Sequence, residues 1–154
     1  MRNNPRLFQL LAQAQRAVSQ AAEREAQARL GVTPTQLALL YALEGEAPVT
    51  MAEVGRLLEL SPAALSGLAD RCERAGLVER RSSERDGRTV LLAATTRGRE
   101  LRDRSYPLLA AMNERLVEGL DAAERAAAAK FLQGLVARFG KYQGDENERD
   151  RRRA

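Results

Sequence analysis

The chain has 154 residues, 44% of them hydrophobic, which suits one ordinary domain with helical extensions and is too apolar for a wholly disordered chain. It has no histidine and one cysteine, Cys72, which excludes Ser–His and Cys–His catalytic pairs, most catalytic zinc sites and an internal disulfide framework. The net charge of +4 is concentrated: residues 71–104 carry 10 basic and 6 acidic groups, while 1–70, 105–140 and 141–154 carry net −1, 0 and +1.

That window is where a polyanion-binding surface is expected. Of the 25 basic residues only Lys130 and Lys141 are lysine. Arginine presents a planar fork of donors suited to phosphates and base edges, although GC-rich codon usage produces the same bias. Neither a signal-peptide layout nor a run of about 18 apolar residues is present, so a cytoplasmic protein without a membrane partner is expected.

Residues 5–30 read as a long helix. Leu7, Leu11, Ala14, Val18 and Ala21 recur at 4-3-4-3 spacing and form a narrow seam suited to a facing helix. Gly31 ends it. Thr33-Pro34-Thr35-Gln36 combines a capping Thr, Pro at the first helical position and Gln at the third, with Leu37, Leu40 and Tyr41 facing inward. Thr50-Met51-Ala52-Glu53 is a second capping box, opening a short helix with Val54, Leu57 and Leu58 inward. Ser61 and Pro62 start a third helix, with Leu65, Leu68 and Cys72 on one face and Gly76 at its end. Residues 50–75 are therefore helix, tight turn, helix.

After Gly76 the period changes. Residues 77–81 and 88–92 read as two short strands around a polar loop holding an Asp86-Gly87 turn signal. Thr95 can cap a long helix over 96–118, and Asp121-Ala122-Ala123-Glu124 opens a last one with Phe131, Leu132, Leu135 and Phe139 apolar. Residues 141–154 are charged, lack an apolar face and are expected to be disordered.

The expected fold is mainly α with a small β-hairpin wing. It is a winged helix-turn-helix over 33–98, flanked by helical dimerisation segments at 5–30 and 99–140. In the helix at 62–75, Ala63, Ser66, Gly67, Asp70 and Arg74 point away from the apolar face, with Ala64 and Arg71 at its flanks. That is how a helix presents one face to the major groove. An arginine at the tip of a hairpin that also bears Arg80, Arg81 and Arg85 can enter the minor groove, with a neighbouring Asp holding an arginine in place. A solvated charged surface has the same composition. No grouping supplies a nucleophile, a base and an orienting group, so neither an enzyme, a cofactor nor a metal is expected.

The run from Ser61 to Val78 resembles the recognition helix of MarR-family regulators. Asp86-Gly87-Arg88 followed by Thr95-Thr96-Arg97-Gly98 resembles the family's wing pattern, Asp-x-Arg, a strand, then Leu-Thr-x-x-Gly; Ala94 stands where Leu is usual. The resemblance covers the chain up to about Gly140. It implies a homodimeric repressor on a pseudo-palindromic double-stranded DNA operator. Ser61, Ala63, Ser66, Gly67, Asp70, Arg71 and Arg74 would read or flank the major groove. Arg88 would enter the minor groove, with Arg85 and Asp86 beside it. Leu7, Leu11, Val18, Phe131, Leu135 and Phe139 would form the dimer interface. Gly67 stands where many members carry a polar or basic residue, and Gly87 where Arg is frequent.

The resemblance also implies release by a small, often aromatic or phenolic, effector bound between the dimer helices and the winged domain. Tyr41 and Arg16 are candidates for lining that crevice, alongside core and surface roles. The absence of Trp argues against the urate-type branch. Cys72, on the inward face, reads as a structural thiol rather than a redox sensor. A ligand-independent architectural DNA-binding protein and a helical protein-interaction module are the competing readings.

Overall fold

The computed structural model describes residues 6–45, 47–83 and 87–140. The elements run α1 (Leu7–Leu30), α2 (Pro34–Ala42), β1 (Val49–Thr50), α3 (Met51–Leu58), α4 (Pro62–Arg74), β2 (Val78–Ser82), β3 (Val90–Ala94), α5 (Thr96–Leu116) and α6 (Ala122–Phe139). Two compact units are separated between Met112 and Asn113.

The helices start where local chemistry satisfies their first N–H groups. Thr33 Oγ1 accepts from Gln36 N at 3.2 Å, and Gln36 Oε1 accepts from Thr33 N at 2.9 Å. Thr50 and Glu53 form the same reciprocal pair at 3.0 and 3.1 Å, and Asp121 and Glu124 do so at 2.9 Å each. Ser61 Oγ accepts from Ala64 N at 3.3 Å. A cap of this kind contributes about 0.5–2 kcal/mol. Gly31 ends α1 in the left-handed region, where its N–H reaches Gln27 O at 3.1 Å.

The core lies in the first unit. Leu37, Leu39, Leu40 and Leu43 from α2 and its C-cap meet Val54 of α3, Leu65, Leu68, Ala69 and Cys72 of α4, and Leu77, Val78 and Leu92 of the wing. Fully burying each large aliphatic side chain contributes about 1.5–3 kcal/mol. Leu57 departs from its expected inward position, being 65% exposed. Val54 and Leu58, four apart, supply α3's inward stripe, and Leu57 projects from its flank.

The wing is three-stranded, in the order β1-β3-β2, rather than a two-stranded hairpin alone. Val49 and Thr50 pair antiparallel with Leu92 and Leu91. The hairpin strands also start later than expected. Leu77 is taken up by the end of α4: its N–H reaches Cys72 O at 2.9 Å, and that of Gly76 reaches Glu73 O at 2.8 Å, with Gly76 at φ +68°. This is a Schellman cap, so pairing begins only at Val78. Arg88 sits in the turn, and β3 begins at Val90. Helix α5 stops at Leu116, ahead of the expected 118.

The outer helices keep apolar faces uncovered. Leu7, Leu11 and Val18 of α1 are exposed, as are Phe8 and Leu10. In the second unit, Phe131 and Phe139 of α6 are exposed and Leu135 is half-buried. Among the described residues no helix is long and apolar enough to cross a membrane.

Candidate DNA interface

Helix α4 buries Leu65, Leu68, Ala69 and Cys72 and exposes Ala63, Ala64, Ser66, Asp70, Arg71 and Arg74, with Gly67 half-buried. A Cβ added at Gly67 would meet only Arg71 Nη1, at an ordinary 3.5 Å. The bare backbone at Gly67 is therefore not required by neighbouring protein. It leaves room on the outward face.

The turn before α4 places Glu59 at φ 53°, a left-handed conformation that costs a non-glycine residue about 1–2 kcal/mol. Leu60 N donates to Gly55 O at 3.0 Å across this turn. A Cβ on Gly55 would lie 3.4 Å from Leu60 O and 3.6 Å from Leu65 Cδ2, close to ordinary contact distances.

The wing is fastened to α4 at two places. The first is Arg80 on β2. Its guanidinium lies 2.7 Å from Asp70 Oδ1 and 2.7 Å from Glu73 Oε2, and it donates to the Ser66 carbonyl at 3.4 Å. The Arg80 backbone N–H adds a bond to Glu73 Oε1 at 3.3 Å. The hydrogen bond to Asp70, then that to Glu73, hold the Arg80 guanidinium above its ordinary range against the opposing effect of burial. Asp70, expected on the DNA-facing side, is exposed there but is neutralised from the wing. Arg81 points to the other face of the strand and pairs with Glu79.

The second is Thr95. Its N–H donates to Leu77 O at 3.0 Å and its Oγ1 donates to Gly76 O at 2.7 Å. The same Oγ1 accepts from Gly98 N at 3.0 Å, capping α5. A Cβ on Gly98 would lie 2.0 Å from Leu77 O, so only glycine fits this crossing. The Thr-x-x-Gly pattern thus has a physical reason. It brings the start of α5 against the residues that end α4.

Arg88 is exposed on the described edge of the wing tip. Arg85 and Asp86 lie outside the described residues. Cys72 is 0% exposed, and burial pushes its thiol up. Tyr41 is half-buried and Arg16 is exposed. A polar cluster that sequence reasoning missed surrounds Tyr41. Its hydroxyl bonds Ser105 Oγ, its ring lies 5.6 Å from that of Tyr106, and Tyr106 donates to Glu44 Oε1 at 2.6 Å. Arg102, one turn from Tyr106 on α5, is only 8% exposed, and its Nη1 has no hydrogen-bond partner among the described residues. Neither Arg102 nor Ser105 carried a signal in the sequence, because each depends on α5 passing α2.

The MarR family model matches residues 30–89, from the end of α1 to the wing tip. An HTH-type transcriptional repressor of Mycobacterium bovis is 28% identical over 106 residues, covering 69% of this chain and 76% of that protein. A crystal structure of mutant MarR from E. coli complexed with operator DNA superposes with a TM-score of 0.72 at 25% identity, covering 87% of this chain and 99% of that one. The PcaV transcriptional regulator of Streptomyces coelicolor, in complex with its natural ligand, gives 0.69 at 25% identity, covering 80% and 89%. With helix α4 fastened to a three-stranded wing through Arg80 and Thr95, the chain is similar, over residues 30–89, to the MarR family of winged helix-turn-helix, DNA-binding transcriptional regulators.

Proposed function

We propose that the chain is a homodimeric repressor that binds a pseudo-palindromic operator in the cytoplasm and leaves it when a small ligand binds. The observation that carries this reading is the outward face of α4, locked to the wing by Arg80. Ala63, Ser66 and Gly67 leave the first half of that face low enough for base edges to approach. Ser61, at the N-cap, would lie nearest a phosphate. Arg71 and Arg74 would reach phosphate or guanine, and Asp70 would orient the wing through Arg80. Arg88 would enter the minor groove, flanked by Arg85 and Asp86.

The dimer reading rests on the uncovered seams. Leu7, Leu11 and Val18 on α1, and Phe131, Leu135 and Phe139 on α6, would be covered by a second copy. Release by a ligand is supported by the cluster around Tyr41 and by the unmet donor of Arg102. A buried guanidinium with an unsatisfied N–H favours an arriving acceptor. MarR with its operator and PcaV with its ligand are consistent precedents of similar fold.

The test is a footprint on the DNA upstream of the chain's own gene, repeated with phenolic and carboxylate compounds. Protection of two half-sites about 10 base pairs apart is expected, weakening steeply with salt. No protected palindrome at moderate salt would favour an interaction module. A footprint that no compound disturbs would favour an architectural role.

A further inference from the structure

We propose that Gly67 and Arg71 together form a guanine-reading element on α4, the missing side chain at Gly67 giving the Arg71 guanidinium its seat. This rests on the proposed function and names a base pair that it requires. At about 100° per residue, Ala63, Asp70 and Arg74 mark the middle of the outward face of α4, and Arg71 stands on its flank. Gly67, four residues earlier, lies about 40° nearer that middle. It also lies about 6 Å nearer the start of the helix. Long side chains on a helix lean toward its N-terminus and cover the preceding turn. Arg71 does so: its Nη1 lies 3.5 Å from the point where a Cβ on Gly67 would stand. The guanidinium is thus carried from the flank toward the centre of the face.

The other charges on α4 are engaged elsewhere. Arg80 holds Asp70 and Glu73 at 2.7 Å each, and Arg74 Nε donates back to Asp70 O at 3.3 Å. The Arg71 guanidinium is exposed and makes no hydrogen bond or ion pair among the described residues. Its neighbours toward the start of the helix, Ala63, Ala64 and Ser66, are all small. A fork of uncommitted donors therefore stands above a low surface. In the major groove only guanine presents two acceptors, O6 and N7, on one edge, and a guanidinium matches that pair. A phosphate at the rim of the groove is met by an arginine standing out from the flank. One folded inward over a glycine points to a base edge.

The test starts by letting the full chain select duplexes from a random-sequence pool, then measures affinity for single-base-pair changes by fluorescence anisotropy. One G·C pair in each half-site should be required, and changing it to A·T in one half-site should weaken wild-type binding about 5- to 150-fold. Arg71→Ala should bind the two duplexes within about twofold of each other. Gly67→Leu fills the seat and should erase the same preference, and adding Arg71→Ala to it should cost nothing further. Gly67→Ala, whose Cβ meets Nη1 at an ordinary distance, should keep the preference. If Gly67→Leu binds neither duplex, the Arg71→Ala ratio decides. Selected duplexes with no such G·C pair would overturn the assignment and leave the DNA reading standing. So would an equal loss on both duplexes in Arg71→Ala, as a phosphate contact gives, or a preference that survives Gly67→Leu. A chain that selects no duplex from the pool would overturn both.

Discussion

Replacing Arg80 with alanine separates a residue that holds the proposed DNA-binding surface together from one that merely adds charge to it. The substitution removes ion pairs to Asp70 and Glu73, both at 2.7 Å, and the bond to Ser66 O at 3.4 Å. The carboxylates are 54% and 42% exposed, so solvent screens both pairs, and each contributes only about 0.2–1 kcal/mol to stability. The expected loss is about 1 kcal/mol, a fall in Tm of about 2–4 °C. Operator affinity should suffer more. Two uncompensated carboxylates would then stand on the face proposed to meet phosphates. At about 7 Å each repulsion is about 0.6 kcal/mol in bulk water and about four times that at an effective dielectric of 20. A 10- to 100-fold weakening in fluorescence anisotropy against an operator duplex follows, at about 1.4 kcal/mol per factor of ten. Adding Asp70→Asn and Glu73→Gln to Arg80→Ala removes the bare charges and should restore most of the affinity. Binding of Arg80→Ala within twofold of wild type would refute this reasoning, and so would a triple variant no better than Arg80→Ala.

Three other substitutions test separate parts of the account. Gly98→Ala places a Cβ 2.0 Å from Leu77 O, which also accepts from Thr95 N, so relief breaks that bond; a loss of about 3 kcal/mol or more in urea unfolding is expected, and a loss under about 1 kcal/mol would contradict it. Glu59→Gly relieves the left-handed strain between α3 and α4 and should raise stability by about 0.5–1 kcal/mol, with a lowered midpoint as the contrary result. Cys72→Ala should leave operator binding under peroxide no different from wild type, since the thiol is fully buried and burial disfavours its reactive thiolate. Peroxide-induced release that disappears in this variant would show a redox role.

What the sequence revealed and what it hid divide along contact range. The capping boxes at Thr33, Thr50 and Asp121 were legible because each closes over three residues. The inward face of α4 was legible for the same reason, since helical period alone separates Leu65, Leu68 and Cys72 from Ser66 and Arg74. Strand β1 was hidden because its two residues overlap a helix cap and pair with Leu91 and Leu92, some 40 positions away. Arg80 looked like one arginine among several on the hairpin. Strand alternation does carry a signal: Val78 is buried, and Arg80, two residues on, shares its face. Its partners, Asp70 and Glu73, become visible only once that face is laid against α4. The family's Thr-x-x-Gly pattern was recognisable, but its cause, a backbone crossing too close for any Cβ, is a property of the assembled core.

The most direct test of DNA reading by this winged helix is a titration of Arg88→Ala against wild type on the footprinted operator, at two salt concentrations. Clearly weaker binding is expected for the variant, with protection lost first at the minor groove beside each half-site. Unchanged affinity and an unchanged protection pattern would contradict it.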